Sequence, residues 1–354
     1  MSRPEGLPQF DTKVPHRITS AQIQENKRPA MKKIFFAILP FFFGLTVSQA
    51  QETTRIPRLG ILVPESGRAE SQAIKGLRDG LKELGYQEGK NLQIEIRDAK
   101  GDRGALKQEA NELVRQKVRL IFTTGTRATL AARAATSDIP IVFTHPADPV
   151  ALGLVKNMAR PEANVTGVAA LSLQMSDKRM EILKQLVPKV RRVNVFYDSN
   201  NSYSRENFLI AKKAAEKLGL KVAESPVKST EELKKSINAM QNREDEAFFH
   251  VPDDLIESQL DFIFEAARQK EWPTMFSEES WVAQGGLAGY GPNYYQMGRQ
   301  AARLIDKILK GAKPKDLPVE KASKFDLVIN LRTANAIGLS IPPEVLKRAD
   351  RVIR

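Results

Sequence analysis

After residue 50 the chain holds two imidazoles, His145 in "FTHPADP" and His250 in "FHVPDD". Each follows an apolar run, where a strand end would bring its side chain to a cleft. An imidazole titrates near neutrality, so either residue is suited to proton transfer, to ligand contact or to holding its loop. Proton transfer needs a reactive partner, and the familiar signatures are missing. The sequence contains no G-x-S-x-G, no H-E-x-x-H, no G-x-x-x-x-G-K-[ST] and no G-x-G-x-x-G. Ser225-Pro226-Val227-Lys228 fits S-x-x-K in letters only, because Pro226 forbids the helix that would set both side chains on one face. Cysteine is absent, which excludes disulfides, thiolate metal sites and a thiol nucleophile. The reading is no catalytic residue, no metal and no cofactor.

Two stretches suit binding instead. "TTGTRAT" (123–129) joins an apolar run to a helical one, so the backbone amides of Thr124, Gly125 and Thr126 would stand at a helix N-terminus. Such amides accept a carboxylate or another anion. The same residues equally suit capping alone, with Thr126 as N-cap. In "ADPVALGLV" (147–155), Asp148 at an N-cap position and Pro149 at N1 have a structural explanation in the turn itself.

These loops need a frame. Short apolar runs alternate with longer amphipathic ones, the signature of a parallel sheet covered on both faces. Strands are expected at 58–64, 91–99, 119–124 and 139–144, with helices between them. The first helix, 70–85, places Ile74, Leu77, Leu81 and Leu84 on one stripe. A second unit of the same plan follows "NVTGV" (164–168), with strands at 191–198, 220–225, 246–252 and 272–277. One unbroken helix is expected over 254–270, and Ser229 with Glu232 forms a capping box at another. Two similar α/β lobes suggest a hinged clamp, its cleft lined by loops at the carboxyl ends of the strands.

The N-terminal region has a different character. "MKKIFFAILPFFFGLTVSQAQ" begins at Met31 with two lysines, continues through the apolar run Ile34–Val47 and ends in Ser48-Gln49-Ala50. Those are the three parts of a secretory signal peptide, with cleavage expected after Ala50. The run is fourteen residues, short of the roughly 20 needed to span a bilayer core. Residues 1–30 would then be an upstream extension outside the native protein, or a disordered tail. Residues 1–50 hold seven Lys/Arg against three Asp/Glu, carrying +4 of the formal +13. The remaining positive charge is spread along amphipathic segments such as "EKLGLKV", which reads as solvated helix faces rather than a nucleic-acid groove. With no cysteine to carry a lipid anchor, the expected location is the periplasm, unanchored.

Five strings occur together and in order: "IPIVFTHPADPVALGLV", "RPEANVTGV", "KRMEILKQLVPKVRRVNVFYD", "GGLAGYGPNYYQMGRQAARLIDKILKGAKPKDLPVE" and "FDLVINLRTANAIGLSIPPEVLKRADRVI". On these the chain resembles the ABC-transporter substrate-binding protein family that includes tryptophan- and tyrosine-binding transport components. The resemblance covers 56–354 and is most specific near the C-terminus. It implies a type I periplasmic-binding fold: two doubly wound parallel-sheet lobes joined by a three-segment hinge, without catalysis. Lobe one would comprise 51–167 plus 293–324, and lobe two 168–292 plus 325–354. Crossings are expected near Val165–Val168, Gly291–Asn293 and Pro318–Lys324.

The family takes its ligand contacts from strand-end loops of both lobes. The matching positions are Glu65, Ser66, Thr124, Gly125, Thr126, His145, Tyr197, Asp198, Pro252, Asp253, Ser277, Glu278 and Tyr290. An α-amino acid would suit them, its carboxylate on the 124–126 amides and its ammonium on Asp253, Asp198 or Glu278. Tyr197 or Tyr290 would stack on an aromatic side chain; a cationic or amine ligand is the alternative that Glu65 leaves open. The implied role is a monomeric solute-binding component of an ABC importer, handing a small polar metabolite to an inner-membrane permease. The alternatives are a ligand sensor for a membrane receptor and a hydrolase on the same scaffold.

Overall fold

The computed structural model describes residues 56–354 except 66–67, 146–147, 162, 172–174 and 242. The expected signal peptide and upstream extension lie outside the described residues. In chain order, β1 (Arg58–Val63), α1 (Arg68–Glu83), β2 (Gln93–Asp98), α2 (Arg103–Arg115), β3 (Leu120–Thr124), α3 (Gly125–Ala135), β4 (Ile141–Thr144) and β5 (Val165–Ala169) build the first sheet and its layers. Next come α4 (Ser176–Leu186), β6 (Arg192–Asp198), α5 (Ser202–Lys217), β7 (Lys221–Val227), α6 (Thr230–Ala239), β8 (Glu246–Phe249), α7 (Asp254–Glu257), α8 (Leu260–Gln269), β9 (Thr274–Phe276), α9 (Glu279–Gln284) and β10 (Ala288–Pro292). The chain ends with α10 (Tyr294–Leu309), β11 (Glu320–Lys321), β12 (Phe325–Asn330), α11 (Leu331–Ala336), α12 (Pro343–Leu346) and β13 (Arg351–Ile353).

The first sheet has the order β11-β5-β4-β3-β1-β2 and every pairing in it is parallel. The second has the order β13-β12-β10-β9-β8-β6-β7, parallel except where β12 meets β10. Central strands such as β3 are buried along their whole length, as a sheet covered on both faces requires. Leu59, Ile61 and Phe122 pack under α1 and α10 on one face; Leu62, Ile121 and Phe143 pack under α2 and α3 on the other. The expected helix over 254–270 is broken into α7 and α8 at Ser258-Gln259, where the Ser258 hydroxyl donates to the Leu255 carbonyl at 2.7 Å.

Helix α10 follows the second lobe in sequence yet completes the first. It lies backbone to backbone on α1. A Cβ on Gly76 would stand 1.9 Å from the Tyr295 carbonyl oxygen, and one on Gly298 would stand 2.0 Å from that of Ala73. Only glycine permits that approach. Tyr295 donates to Asp79 at 2.9 Å and Arg299 pairs with Glu83, which fixes the register of the two helices.

Three segments cross between the lobes side by side. Val165–Val168 belongs to β5 and not to a crossing; the chain leaves the first sheet only after Ala169. It returns at Pro292–Asn293 and leaves again over 322–324. The Ala322 N–H donates to the Ala169 carbonyl and the Asn293 N–H to that of Lys324, both at 2.9 Å. The buried Gln300 side chain donates to the Lys321 carbonyl and accepts the Ser323 N–H, again at 2.9 Å. The crossings are thereby tied to one another by backbone groups.

Candidate functional site

The carboxyl ends of both sheets open onto a cleft of about 530 Å³. Lobe one lines it with Pro64, Glu70, the first turn of α3 (Gly125, Thr126, Arg127), His145 and Leu152. Lobe two lines it with the start of α5 (Asn201, Tyr203, Ser204), with Pro252, Asp253, Asp254 and Glu257, and with Ser277, Glu278, Ser280, Trp281 and Gln284. Glycines in β10 let the last group approach. A Cβ on Gly291 would stand 2.0 Å from the Ser277 carbonyl oxygen, and one on Gly289 would stand 2.9 Å from that of Glu278.

On the lobe-one wall, Thr124 is the residue that precedes α3, two positions earlier than a Thr126 cap. Its side chain makes no capping hydrogen bond. Gly125 takes φ 77°, a left-handed value that favours glycine, and opens the helix. Gly125 and Thr126 therefore present first-turn amides to the cleft with the exposed Arg127 beside them.

On the same lobe, His145 Nε2 lies 3.1 Å from Glu278 Oε1 and 2.8 Å from the Tyr294 hydroxyl. An imidazole N–H donated to Glu278 leaves the phenol free to donate to the same carboxylate. His145 belongs to lobe one and Glu278 to lobe two, so the lobes meet here. Burial works against the charged imidazole, yet the Glu278 carboxylate beside it holds His145 above its ordinary range. Burial likewise opposes the Glu278 charge, and His145 keeps that carboxyl below its usual value. Burial and the same carboxylate push the Tyr294 phenol far up. His145 has φ 87°, a strained value for a residue with a Cβ, of the kind that concentrates at functional sites.

A second polar cluster lies under the lobe-two wall. Asp253 is buried and fully engaged: Oδ1 accepts the Leu255 and Ile256 amides at 2.9 and 3.0 Å, and Oδ2 accepts the Asp198 amide at 2.7 Å. Burial, then the Glu278 charge, raises Glu257 well above its ordinary value, favouring its neutral form. Burial drives His250 well below its ordinary value, so it is a neutral imidazole. Ser277 Oγ lies 3.3 Å from His250 Nδ1, and Glu257 Oε1 lies 3.6 Å from Nε2. The trio has the residue types of a hydrolytic triad without its state. The carboxyl is biased towards its neutral form, the Nε2 contact is too long for a hydrogen bond, and the imidazole is sealed from the cleft. Behind it the fully buried Arg179 donates to the His250 carbonyl at 3.1 Å and to Ser176 at 3.0 Å; burial lowers it to about 9. Among the described residues no group of three or more His, Asp or Glu could hold a metal ion.

Of the positions singled out in the sequence, Gly125, Thr126, His145, Pro252, Asp253, Ser277 and Glu278 line the cleft. The others do not. Glu65 is exposed outside the lining, Ser66 lies outside the described residues, and Thr124 is buried beneath the helix start. Tyr197 is core, stacked on Phe208 at 4.8 Å with its hydroxyl donating to Glu224 at 2.7 Å. Asp198 reaches the site only through its backbone amide; its side chain accepts the Asn200 N–H at 2.8 Å. Tyr290 packs on Phe325 at 6.0 Å, outside the lining. The aromatic faces on the cleft are Trp281 and Tyr203 instead. Sequence reasoning that stops at the strand end misses both, along with Arg127 and Glu257. Carrying it one turn into each following helix would have found them.

Two covered sheets, three tied crossings and a cleft at the strands' carboxyl ends define a type I periplasmic-binding architecture. Residues 58–353 match the ABC transporter substrate binding protein family, and the chain belongs to it. It is 32% identical over 270 residues to a tyrosine-binding protein of Clostridioides difficile, covering 76% of this chain and 77% of that one. The crystal structure of a conserved domain protein from Vibrio cholerae is 31% identical with a TM-score of 0.75, across 84% of this chain and all 100% of that one. An ABC domain from Streptococcus pneumoniae, crystallised in complex with L-Trp, is 30% identical with a TM-score of 0.73, across 84% and 99%.

Proposed function

We propose that the protein is the solute-capturing component of an ABC importer and that its ligand is an amino acid with an aromatic side chain. One observation carries this reading: the cleft sets helix-start amides and Arg127 on one lobe opposite a carboxylate and two aromatic rings on the other. A ligand carboxylate seats on the Gly125 and Thr126 amides, where the helix dipole adds about 0.3–1 kcal/mol and charge-assisted hydrogen bonds add more. Its ammonium seats on Glu278, the cleft carboxylate held ionised. Asp253, the partner favoured from sequence, has both oxygens committed within the lobe. The ligand's ring lies against Trp281 and Tyr203. Relatives named for tyrosine and crystallised with L-Trp support the same ligand class.

The signal at 31–50 delivers the chain to the periplasm, and cleavage after Ala50 frees it as a monomer that serves an inner-membrane permease. The ligand leaves unchanged, since the Ser277–His250–Glu257 trio lacks the hydrogen bond from imidazole to carboxylate that would activate it. Mass spectrometry of ligand extracted from protein purified from cells, followed by melting with L-tyrosine and L-tryptophan, tests the reading. A ligand at about 100 times its Kd adds about 2.7 kcal/mol of stability. Saturating amino acid without a melting shift, or a chemically altered ligand, counts against it.

A further inference from the structure

We propose that His145 is a built-in counter-cation: in the empty cleft its imidazolium occupies the seat on Glu278 that a ligand ammonium takes, so capture exchanges one cation for the other and expels a proton. This rests on the amino-acid reading above. The geometry is a donor 3.1 Å from a carboxylate oxygen, reached across the gap between lobes. Both side chains are partly exposed, 26% for His145 and 14% for Glu278, so a ligand in the cleft can part them. The strained φ of 87° and the His145 amide bonded to the Val168 carbonyl at 3.1 Å hold the imidazole in place from behind.

The groups facing the pair favour a cation there. From lobe one Glu70 of α1 and Tyr294 of α10 face His145; from lobe two Glu257 of α7 and Ser280 of α9 face Glu278. Burial favours the neutral imidazole, and the Glu278 carboxylate, with a smaller contribution from Glu70, reverses that preference. When an ammonium takes the carboxylate, the imidazolium loses its partner inside a filled cleft and reverts to neutral. One imidazole N–H bond breaks and its proton goes to the buffer. Charge is conserved around Glu278, since an ammonium replaces an imidazolium. Affinity then rises with pH by up to about tenfold per pH unit until His145 is neutral in the empty protein.

Titration calorimetry of the full chain with L-tyrosine and L-tryptophan, at about pH 6 in two buffers of different ionisation enthalpy, counts the protons released. The expected result is close to one proton per ligand, falling as the pH is raised, and none for H145Q. The deaminated probe 3-(4-hydroxyphenyl)propionate, which brings no ammonium, should release none. Binding with no buffer dependence overturns the exchange and leaves the amino-acid reading standing. The absence of binding by both amino acids overturns the two together. The wild-type proton count needs no variant, so it decides the matter even if H145Q fails to fold.

Discussion

Asp253 and Asp198 are joined through one atom each: Asp253 Oδ2 accepts the Asp198 backbone N–H at 2.7 Å. The bond ties the end of β6 to the start of α7, and the other Asp253 oxygen caps that helix. Asp253→Ala should therefore destabilise the protein by about 1–3 kcal/mol, with reduced binding as a secondary effect. Chemical denaturation of the ligand-free protein checks this. Unchanged stability together with lost binding would return Asp253 to the role of ligand partner.

The chain has two tryptophans, the buried Trp272 and Trp281 on the cleft. Ligand addition should change the intrinsic fluorescence, and Trp281→Phe should remove that response. Trp281→Ala should cost about 2 kcal/mol of binding, roughly thirty-fold in Kd, as expected for an aromatic anchor. A fluorescence response that survives in Trp281→Phe would place the ring outside the contact.

The raised Glu257 carboxyl predicts a pH effect of definite sign. Its folded form holds its proton to higher pH than the unfolded chain, whose carboxyl releases it in the ordinary carboxylate range. The folded state thus binds more protons there, and stability falls as pH rises from the carboxylate range. Glu257→Gln keeps the acceptor for the Asp253 amide and removes that penalty. The variant should be more stable than wild type at about pH 7 and equal to it at about pH 4. A pH series of unfolding midpoints decides, and equal midpoints throughout would show an ionised Glu257.

Gly298→Ala would set a methyl group 2.0 Å from the Ala73 carbonyl oxygen. That oxygen is backbone, so no rotamer change relieves the clash and the helices must part. The alanine's better helix propensity returns at most about 1 kcal/mol. A net loss of about 2 kcal/mol is expected from overpacking, to be measured by thermal unfolding; a neutral result would mean that α1 and α10 slide without cost.

How much of this was legible follows from where the signals lie. Buried strands such as β3 and β4 announce themselves as apolar runs, and the capping Ser229 marks its helix as expected. Strand β10, "AGYGP", did not read as a strand because glycine and proline usually mark turns. Its glycines exist to admit the Ser277–Glu278 loop, a tertiary demand that no local pattern carries. The break between α7 and α8 was hidden for a similar reason, since the apolar spacing runs through it. At the site, strand-end reasoning found His145 and Glu278 but not their pairing, which depends on how two lobes distant in sequence are set against each other. Tyr197 has the right position and the wrong facing: the alternation of a strand turns it into the core against Phe208.

The seating of α10 on α1 also sets an order in time. Chain elongation delivers β1 to β5 long before Tyr294–Leu309, so Leu59, Ile61 and Phe122 wait covered by α1 alone on one face while the second lobe is being made. The second lobe waits too, because β10 finds its antiparallel neighbour only when Phe325–Asn330 emerges. Neither half can lock before the last part of the chain has been synthesised. Such late closure makes for slow folding through distant contacts.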